Sequence, residues 1–205
     1  TYTWTNWTKD SNVYTTNQSY TFTMPAENLT LTANGARSAN KYTVAYNGNG
    51  ATGGSTANST HTYDEEKELT ANGYERKYTV TYNHNYTGSS PASKTSTYTF
   101  LGWATSSNGE KVYSDKQSVS NLSSVQGATV PLYAVWQSAS VTYVPTRPGY
   151  TFGGWYKESN CLNQVVGTNG VYTPTANIAL YAKWIVNTNT SYKVEHYKQN
   201  LAGTG

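Results

Sequence analysis

Three histidines, one cysteine and eleven acidic residues are the side chains of this 205-residue chain that could carry out catalysis or hold a metal. The histidines are His61, His84 and His196, and none stands at a zinc-ligand spacing from another histidine or from Cys161. Cys161 lies in a polar stretch without the elbow or oxyanion signature of a nucleophilic residue. We interpret the histidines as exposed strand residues, and we expect no catalytic residue, no cofactor and no metal site.

The acidic residues offer one cluster, at positions 64–68. Asp64, Glu65, Glu66 and Glu68 lack the alternating spacing and the glycine of a calcium loop. The remaining acids are not neighbours in sequence, although a pair that acts on a glycosidic bond could still form through space. The same run, over 63–69, is the best helix candidate in the chain, with Asp64 as its cap. A strand with one charged face is the alternative.

Composition favours a chain built almost entirely of strands. Charged residues make up 12% of the sequence, against about 25% in a typical soluble domain. There are 20 Tyr but only 3 Phe and 1 Met, which suits thin sheets whose rings are half exposed. The net charge of +3 is dispersed, so we expect no nucleic-acid partner. No apolar run approaches the roughly 18 residues of a membrane span.

Two paired motifs recur and indicate tandem repeats. Tyr-Thr-Phe-x-Gly-Trp occurs at 98–103 and 150–155, and Leu-Tyr-Ala-x-Trp follows at 132–136 and 180–184. Because the aromatic residues recur together with their glycines and leucines, we assign them to the cores of the repeats. The assigned residues are Tyr98, Phe100, Gly102, Trp103, Leu132, Tyr133, Trp136, Gly149, Tyr150, Phe152, Gly154, Trp155, Leu180, Tyr181 and Trp184.

A second repeated pattern lies upstream of these motifs. The pentapeptide Leu-Thr-Ala-Asn-Gly occurs at 31–35 and 69–73, and each copy leads to a Tyr-Thr-Val-x-Tyr-Asn stretch, at 42–47 and 78–83. Strict alternation in those stretches predicts strands with one buried face. We interpret Asn34-Gly35 as a turn. The glycine-rich segment 47–55 lacks the Gly-Lys-Ser/Thr ending of a phosphate loop, and we interpret it as a mobile hairpin loop.

These motifs resemble the internalin-B B-repeat family, also called the Listeria–Bacteroides repeat. The resemblance covers roughly 41–185 and rests on the opening at 42–51, on Arg-Pro-Gly-Tyr-Thr-Phe-Gly-Gly-Trp-Tyr at 147–156, and on both Leu-Tyr-Ala-x-Trp endings. It implies tandem small β-grasp-like (ubiquitin-like) units in an elongated arrangement. It also implies an extracellular protein, on the bacterial cell surface or secreted, that serves in adhesion, host contact or spacing. The family brings no catalytic residues.

The expected organisation follows from the repeats. Residues 1–40 end a preceding β unit, 41–137 form a long repeat unit, 138–185 form a short one, and 186–205 start a following unit. The short unit lacks the Tyr-Thr-Val-x-Tyr-Asn opening, so it could borrow a strand from its neighbour. We expect neighbouring repeats as partners. Homo-assembly stays open, since a neighbouring chain can supply a missing strand.

The leading functional hypothesis is a non-catalytic stalk or spacer of an adhesin. The alternative is a carbohydrate- or receptor-binding module that uses exposed tyrosine and tryptophan rings to contact host glycans or surface proteins. Trp4 and Trp7 are the candidate contacts, because they stand outside the two matched tryptophan pairs.

Overall fold

The computed structural model describes residues 2–189 and 193–195, and these residues form strands and no helix. The strands are β1 (Tyr2–Lys9), β2 (Asn12–Thr15), β3 (Thr32–Arg37), β4 (Lys41–Asn47), β5 (Gly53–Gly54), β6 (Ser59–Thr62), β7 (Lys67–Glu68), β8 (Tyr74–Glu75), β9 (Lys77–Asn83), β10 (Ala92–Thr97), β11 (Thr99–Ala104), β12 (Ser118–Val119), β13 (Thr129–Gln137), β14 (Val141–Thr142), β15 (Tyr150–Tyr156), β16 (Gln164–Val166), β17 (Val171–Tyr172) and β18 (Ile178–Val186). The predicted mainly-β class is therefore confirmed.

The chain forms two compact units whose sequences alternate. Unit 1 takes its described residues from 2–76 and 99–137, and unit 2 takes them from 77–98 and from 138 onward. The hairpin of β9 and β10 thus interrupts the sequence of unit 1 but belongs to unit 2. The sequence-based boundaries at 41–137 and 138–185 place this hairpin in the long unit, so the structure divides the chain differently.

Each unit contains a mixed sheet, and the two sheets share an arrangement of four strands, to which unit 2 adds β16 at one edge. In unit 1 the order is β6-β4-β13-β11, and in unit 2 it is β10-β9-β18-β15-β16. The two central strands run parallel in both sheets, as β4 with β13 and β9 with β18. Every other neighbouring pair is antiparallel. A Tyr-Thr-Val-x-Tyr-Asn strand therefore pairs with a Leu-Tyr-Ala-x-Trp strand at the centre of each sheet.

Alternation of side chains builds the two cores, as the sequence predicts. In β4 the rings of Tyr42 and Tyr46 and the side chain of Val44 are buried, whereas Thr43 and Ala45 are only half-buried. Strand β9 repeats this pattern with Tyr78, Val80 and Tyr82. Period-two alternation places every second residue on one face, which here covers the core.

A third sheet, in unit 1, has the order β2-β1-β3 and is wholly antiparallel. None of its described residues is fully buried. The Asn34-Gly35 turn was a wrong prediction, because both residues lie inside β3.

The helix predicted at 63–69 is also wrong. The backbone of Asp64 has a positive φ of 66°, which ends any right-handed helical path there. Lys67 and Glu68 then form β7, which pairs with β12. These two residues therefore adopt the alternative, a strand with charged and exposed side chains.

Candidate functional site

The two Gly-Trp tryptophans lie at the centres of the two cores. Trp103 and Trp155 are both 0% exposed. Trp103 packs against Tyr46, with ring centroids 4.8 Å apart, and Trp155 packs against Tyr82 at 4.7 Å. The last tyrosine of each opening strand therefore covers the tryptophan of the following motif.

The other apolar motif residues surround these rings. Leu132 and Leu180 are 0% exposed, and Phe100 and Phe152 make edge contacts with the two tryptophans at 4.9 and 5.1 Å. Burial raises the pKa of Tyr82 to about 12, with weaker contributions from Tyr172 and Tyr143. The two leucines and two phenylalanines belong to the two core clusters or pack against them.

The glycine before each tryptophan allows a bulge in the strand. Gly102 and Gly154 have φ values of 146° and 109°, and the register of β11 and β15 shifts at these positions. A Cβ atom on Gly154 would lie 2.6 Å from the carbonyl oxygen of Val166, and one on Gly102 would overlap the carbonyl oxygen of Tyr113. Only glycine fits both the backbone angle and the space.

In each unit an asparagine and a tryptophan form hydrogen bonds between the segment that follows the opening strand and the later part of the unit. We call these hydrogen bonds the latch. In unit 1 the Asn49 amide donates to the carbonyl oxygens of Ser107 and Ala134 at 2.8 and 2.9 Å. The indole N–H of Trp136 donates to Gly48 O at 2.9 Å. Each bond joins the segment after the opening strand to the second half of the unit.

Unit 2 repeats the latch with different neighbours. The Asn85 amide donates to Ser159 O at 2.8 Å and to Ala182 O at 3.1 Å. Trp184 donates to His84 O at 2.6 Å. Asn49 and Asn85 both have positive φ, 45° and 59°, which asparagine tolerates better than most residues. The tryptophans could be identified from the repeated motifs, but the asparagines were missed, although both follow Tyr-Asn-x in the sequence.

The remaining motif residues take different positions. Tyr98 is buried, and its hydroxyl donates to Pro174 O at 2.9 Å within unit 2. The Arg147 guanidinium lies over the Tyr150 ring, with the Cζ atom of Arg147 3.7 Å from the ring centroid. Gly149 has a φ of 77°, so its left-handed conformation favours glycine. Tyr133 and Tyr181 are half-buried on the outer faces of their strands.

The N-terminal sheet is a third copy of the paired motifs. Trp7 lies opposite Ala33 in the register of β1 and β3, just as Trp103 lies opposite Ala134. A bulge precedes Trp7, as it precedes Trp103. Tyr-Thr-Trp-Thr-Asn-Trp at 2–7 therefore replaces Tyr-Thr-Phe-Leu-Gly-Trp, and Leu-Thr-Ala-Asn-Gly at 31–35 replaces Leu-Tyr-Ala-Val-Trp. This copy was not recognised in the sequence, because six of the eleven aligned positions differ.

Trp4 and Trp7, the candidate ligand contacts, are half-buried and touch each other. Their ring centroids are 5.2 Å apart and their planes are inclined by 57°, so they do not form one flat platform. The indole N–H groups donate to the carbonyl oxygens of Thr16 and Gln18 at 2.9 and 3.2 Å. Beside Trp7 lies a cavity of about 390 Å³. Its other lining residues are Thr15, Gln18, Ser19, Tyr20, Phe22 and Leu31.

His61 corrects the expectation of exposed histidines. It is 0% exposed, stacks on Tyr42 at 5.5 Å, and has its Nε2 atom 2.9 Å from Ser59 Oγ. Its Nδ1 atom has no hydrogen-bond partner. Burial, with a smaller contribution from Lys67, lowers the pKa of His61. The imidazole is therefore a neutral core residue.

Two of the other candidate residues, His84 and Cys161, both lie in unit 2. His84 is half-buried with Nε2 2.8 Å from the Tyr143 hydroxyl, and His196 lies outside the described residues. Cys161 is half-buried, and burial raises the pKa of its thiol. In the described part of the chain, no three His, Cys, Asp or Glu residues group as metal ligands.

A polar cleft in unit 2 was not foreseen from the sequence. It has a volume of about 450 Å³. It is lined by Asn83, His84, Asn85, Tyr86, Thr87, Ser89, Pro91 and Tyr181. Tyr86 is 36% exposed and packs on the Arg147 guanidinium at 4.6 Å.

Comparison with known proteins identifies the repeats. Residues 70–135 and 136–183 match the Listeria-Bacteroides repeat domain, which accounts for more than half of the chain. The first matched segment includes β9, which pairs with β18 of the second segment. No curated protein and no solved structure is significantly similar to the chain. No helix in the described residues is long and apolar enough to cross a membrane. The chain belongs to the Listeria-Bacteroides repeat family, which is typical of bacterial surface proteins.

Proposed function

We propose that this chain is a non-catalytic stalk or spacer segment of an adhesin, on the bacterial cell surface or secreted. The observation that carries the proposal is the burial of the repeated side chains. Trp103, Trp155, Leu132 and Leu180 are all 0% exposed. What the repeats share is therefore used to build cores, and the motif leaves few side chains free for a ligand.

The topology supports β-grasp-like units as the building block of this spacer. Each mixed sheet begins with an antiparallel pair, β4–β6 or β9–β10, whose first strand lies parallel to the last strand of that sheet in the chain, β13 or β18. A mixed sheet with a central parallel pair of first and last strands is the β-grasp arrangement. In the described residues the connection between the two halves contains short strands and loops in place of a helix.

The experiment that tests the spacer is a binding survey of the whole 205-residue chain on a glycan array and on intact host-type cells. We expect a well-folded chain to bind neither. Specific, saturable binding would contradict a pure spacer and favour a segment with its own adhesive contacts. The double variant Trp4→Ala/Trp7→Ala, verified by circular dichroism, then tells whether the N-terminal rings are responsible.

The polar cleft of unit 2 favours one second candidate, a glycan-binding module. Tyr86 offers a partly exposed ring, and Asn83 and Thr87 place amide and hydroxyl groups beside it. An exposed ring flanked by such groups can stack on a sugar and bond its hydroxyls. Binding that is lost in Tyr86→Ala but kept in Tyr2→Ala, whose ring is 77% exposed elsewhere, would support this candidate. Binding that survives Tyr86→Ala would reject it.

A further inference from the structure

The charged side chain of Arg147 lies among three aromatic rings of unit 2. Its Cζ atom is 3.7 Å from the ring centroid of Tyr150 and 4.6 Å from that of Tyr86. The ring centroid of Trp184 is 5.8 Å from the same atom. All three distances are within the range of cation–π attraction, about 6 Å. The rings therefore stabilise one position of the guanidinium group.

The backbone around Arg147 also fixes this position. The N–H of Tyr150 donates to Arg147 O at 3.1 Å and closes a four-residue turn. Pro148 is the second residue of the turn, and Gly149 is the third, with a φ of 77°. Proline at the second position and a positive φ at the third are typical of a type II turn. The arginine is therefore held in place before a ligand binds, which lowers the entropic cost of binding.

The guanidinium of Arg147 has no oxygen acceptor in the part of the chain that the structure describes. No carboxylate among residues 2–189 and 193–195 pairs with it, and no hydrogen bond joins it to another residue there. The residue is half-buried, so it is partly accessible to solvent. Arginine carries five N–H donors in a fixed plane, and a carboxylate accepts two of them side by side. Arg147 therefore presents donors that fit a carboxylate.

The polar cleft of unit 2 adjoins this arginine through one shared ring. Tyr86 lines the cleft of about 450 Å³ and also packs on Arg147. Asn83 and Thr87 add amide and hydroxyl groups to the lining. Such groups pair with the hydroxyls of a sugar, whereas an apolar ligand would leave them unpaired. A ligand that reaches both the cleft and the arginine therefore needs hydroxyl groups and a carboxylate, and an acidic sugar has both.

Unit 1 has an arginine at its latch but not the same arrangement. The residue after the latch asparagine is Gly50 in unit 1 and Tyr86 in unit 2. The Cζ atom of Arg76 lies 3.0 Å from the place where a Cβ atom on Gly50 would stand. Its Nη1 atom donates to Asn49 O at 3.4 Å. Because this arginine has a backbone acceptor and residue 50 brings no ring, we expect the site in unit 2 alone.

We propose that unit 2 binds carboxylate-bearing sugars. The Arg147 guanidinium donates two hydrogen bonds to the carboxylate, and the sugar ring lies in the cleft beside Tyr86. This proposal rests on the glycan-binding candidate and gives that site its ligand class. A partly exposed ion pair contributes little affinity, so we expect a dissociation constant of about 1 mM. A site this weak is lost in the washing steps of an array or cell survey and has to be measured by titration in solution.

Nuclear magnetic resonance titration of the full chain with tetragalacturonate tests the proposal. We expect saturable shifts at the Trp184 indole N–H and at the amides of residues 84–87 and 147–150. The methyl ester of tetragalacturonate keeps the sugar rings without the charges, and it should bind about tenfold more weakly or less. Sialyllactose compared with lactose repeats the test with a second source of the carboxylate. Preference for either acidic sugar over its neutral counterpart supports the proposal and identifies the source.

Three variants assign the carboxylate contact to Arg147. Arg147→Gln should weaken tetragalacturonate binding by about tenfold or more, because the charge and the paired donors are lost. Arg147→Lys keeps the charge but not the planar donors, so its loss should be intermediate. Arg37→Gln is the matched control, since Arg37 is an exposed arginine of unit 1, and it should bind like the parent chain. Circular dichroism verifies the fold of each variant.

The other outcomes separate this proposal from the candidate on which it rests. Equal binding of tetragalacturonate and its ester, lost in Tyr86→Ala but kept in Arg147→Gln, would overturn carboxylate recognition and leave a neutral glycan site. Absence of shifts with every sugar would overturn both. Equal shifts with sodium acetate, or equal losses in Arg37→Gln and Arg147→Gln, would mean a general response to anions and would overturn the assignment to sugars.

Discussion

The indole N–H of Trp184 donates to the backbone carbonyl of His84, 2.6 Å away and 100 positions earlier in the chain. This bond ties the last motif of unit 2 to the loop that follows its opening strand. The segment between the two residues includes 99–137, which belongs to unit 1. The latch therefore closes unit 2 across a stretch of chain that folds elsewhere.

Removing the latch asparagine of unit 2 tests its contribution. Asn85→Ala should lower the free energy of unfolding by about 1–3 kcal/mol, because the carbonyls of Ser159 and Ala182 lose their donor. Asn85→Gly permits the positive φ but also lacks the amide, so it separates hydrogen bonding from backbone strain. Urea denaturation measures the free energy of unfolding of both variants. Equal stability of Asn85→Gly and the parent chain would show that the amide contributes nothing.

Two adjacent glycines of β15 should respond very differently to alanine. Gly154→Ala should cost at least about 2 kcal/mol, since the backbone has positive φ and the new Cβ would lie 2.6 Å from Val166 O. Gly153→Ala should cost less than about 1 kcal/mol, because its nearest neighbour is the flexible Lys183 chain at 3.3 Å. Chemical denaturation measures the free energy of unfolding of both variants. Similar losses would contradict the bulge argument.

Burial of His61 predicts acid sensitivity. Its folded pKa is lowered from the usual 6.5, so the folded state binds fewer protons than the unfolded state in this range. The stability from neutral His61 is complete above pH 6.5 and is lost as pH falls below that value, by up to about 1.4 kcal/mol per pH unit.

His61→Phe should flatten this pH dependence while the ring continues to stack on Tyr42. The urea midpoints of the parent chain and the variant are compared at pH 7.5 and pH 5.5. The parent chain should lose more stability between the two pH values than the variant. Parallel losses would mean that other groups govern the acid response.

The fragment 138–189 should not fold alone, because its central strand β18 would lose β9 and expose Leu180. Joining 77–98 to 138–189 through a short linker should restore a cooperative thermal transition. The two ends are close in unit 2, since Ser96 Oγ donates to Ala139 O at 2.5 Å. Circular dichroism follows both fragments. A cooperative transition in 138–189 alone would refute the requirement for the hairpin.

Much of the local structure follows from the sequence because alternation and motif spacing are local properties. The Tyr-Thr-Val-x-Tyr-Asn strands, the buried motif tryptophans and the mainly-β class are predicted in this way. Burial of His61 could not be predicted, because a histidine between threonines gives no sign of which sheet face will be covered. The cleft at Tyr86 likewise depends on chain segments that are distant in sequence.

The two identical Leu-Thr-Ala-Asn-Gly segments adopt different secondary structures, so their local sequence does not determine their conformation. At 31–35 the segment runs into β3, and Asn34 lies opposite Asn6 in the ladder. At 69–73 the same residues form the connection between β7 and β8, with Leu69 buried in the core of unit 1. The sequence by itself determined the repeats, the strand pattern and the residues able to form cores. Which opening strand completes which sheet was decided only by tertiary structure, since hydrogen bonding between strands and burial depend on neighbours far along the chain.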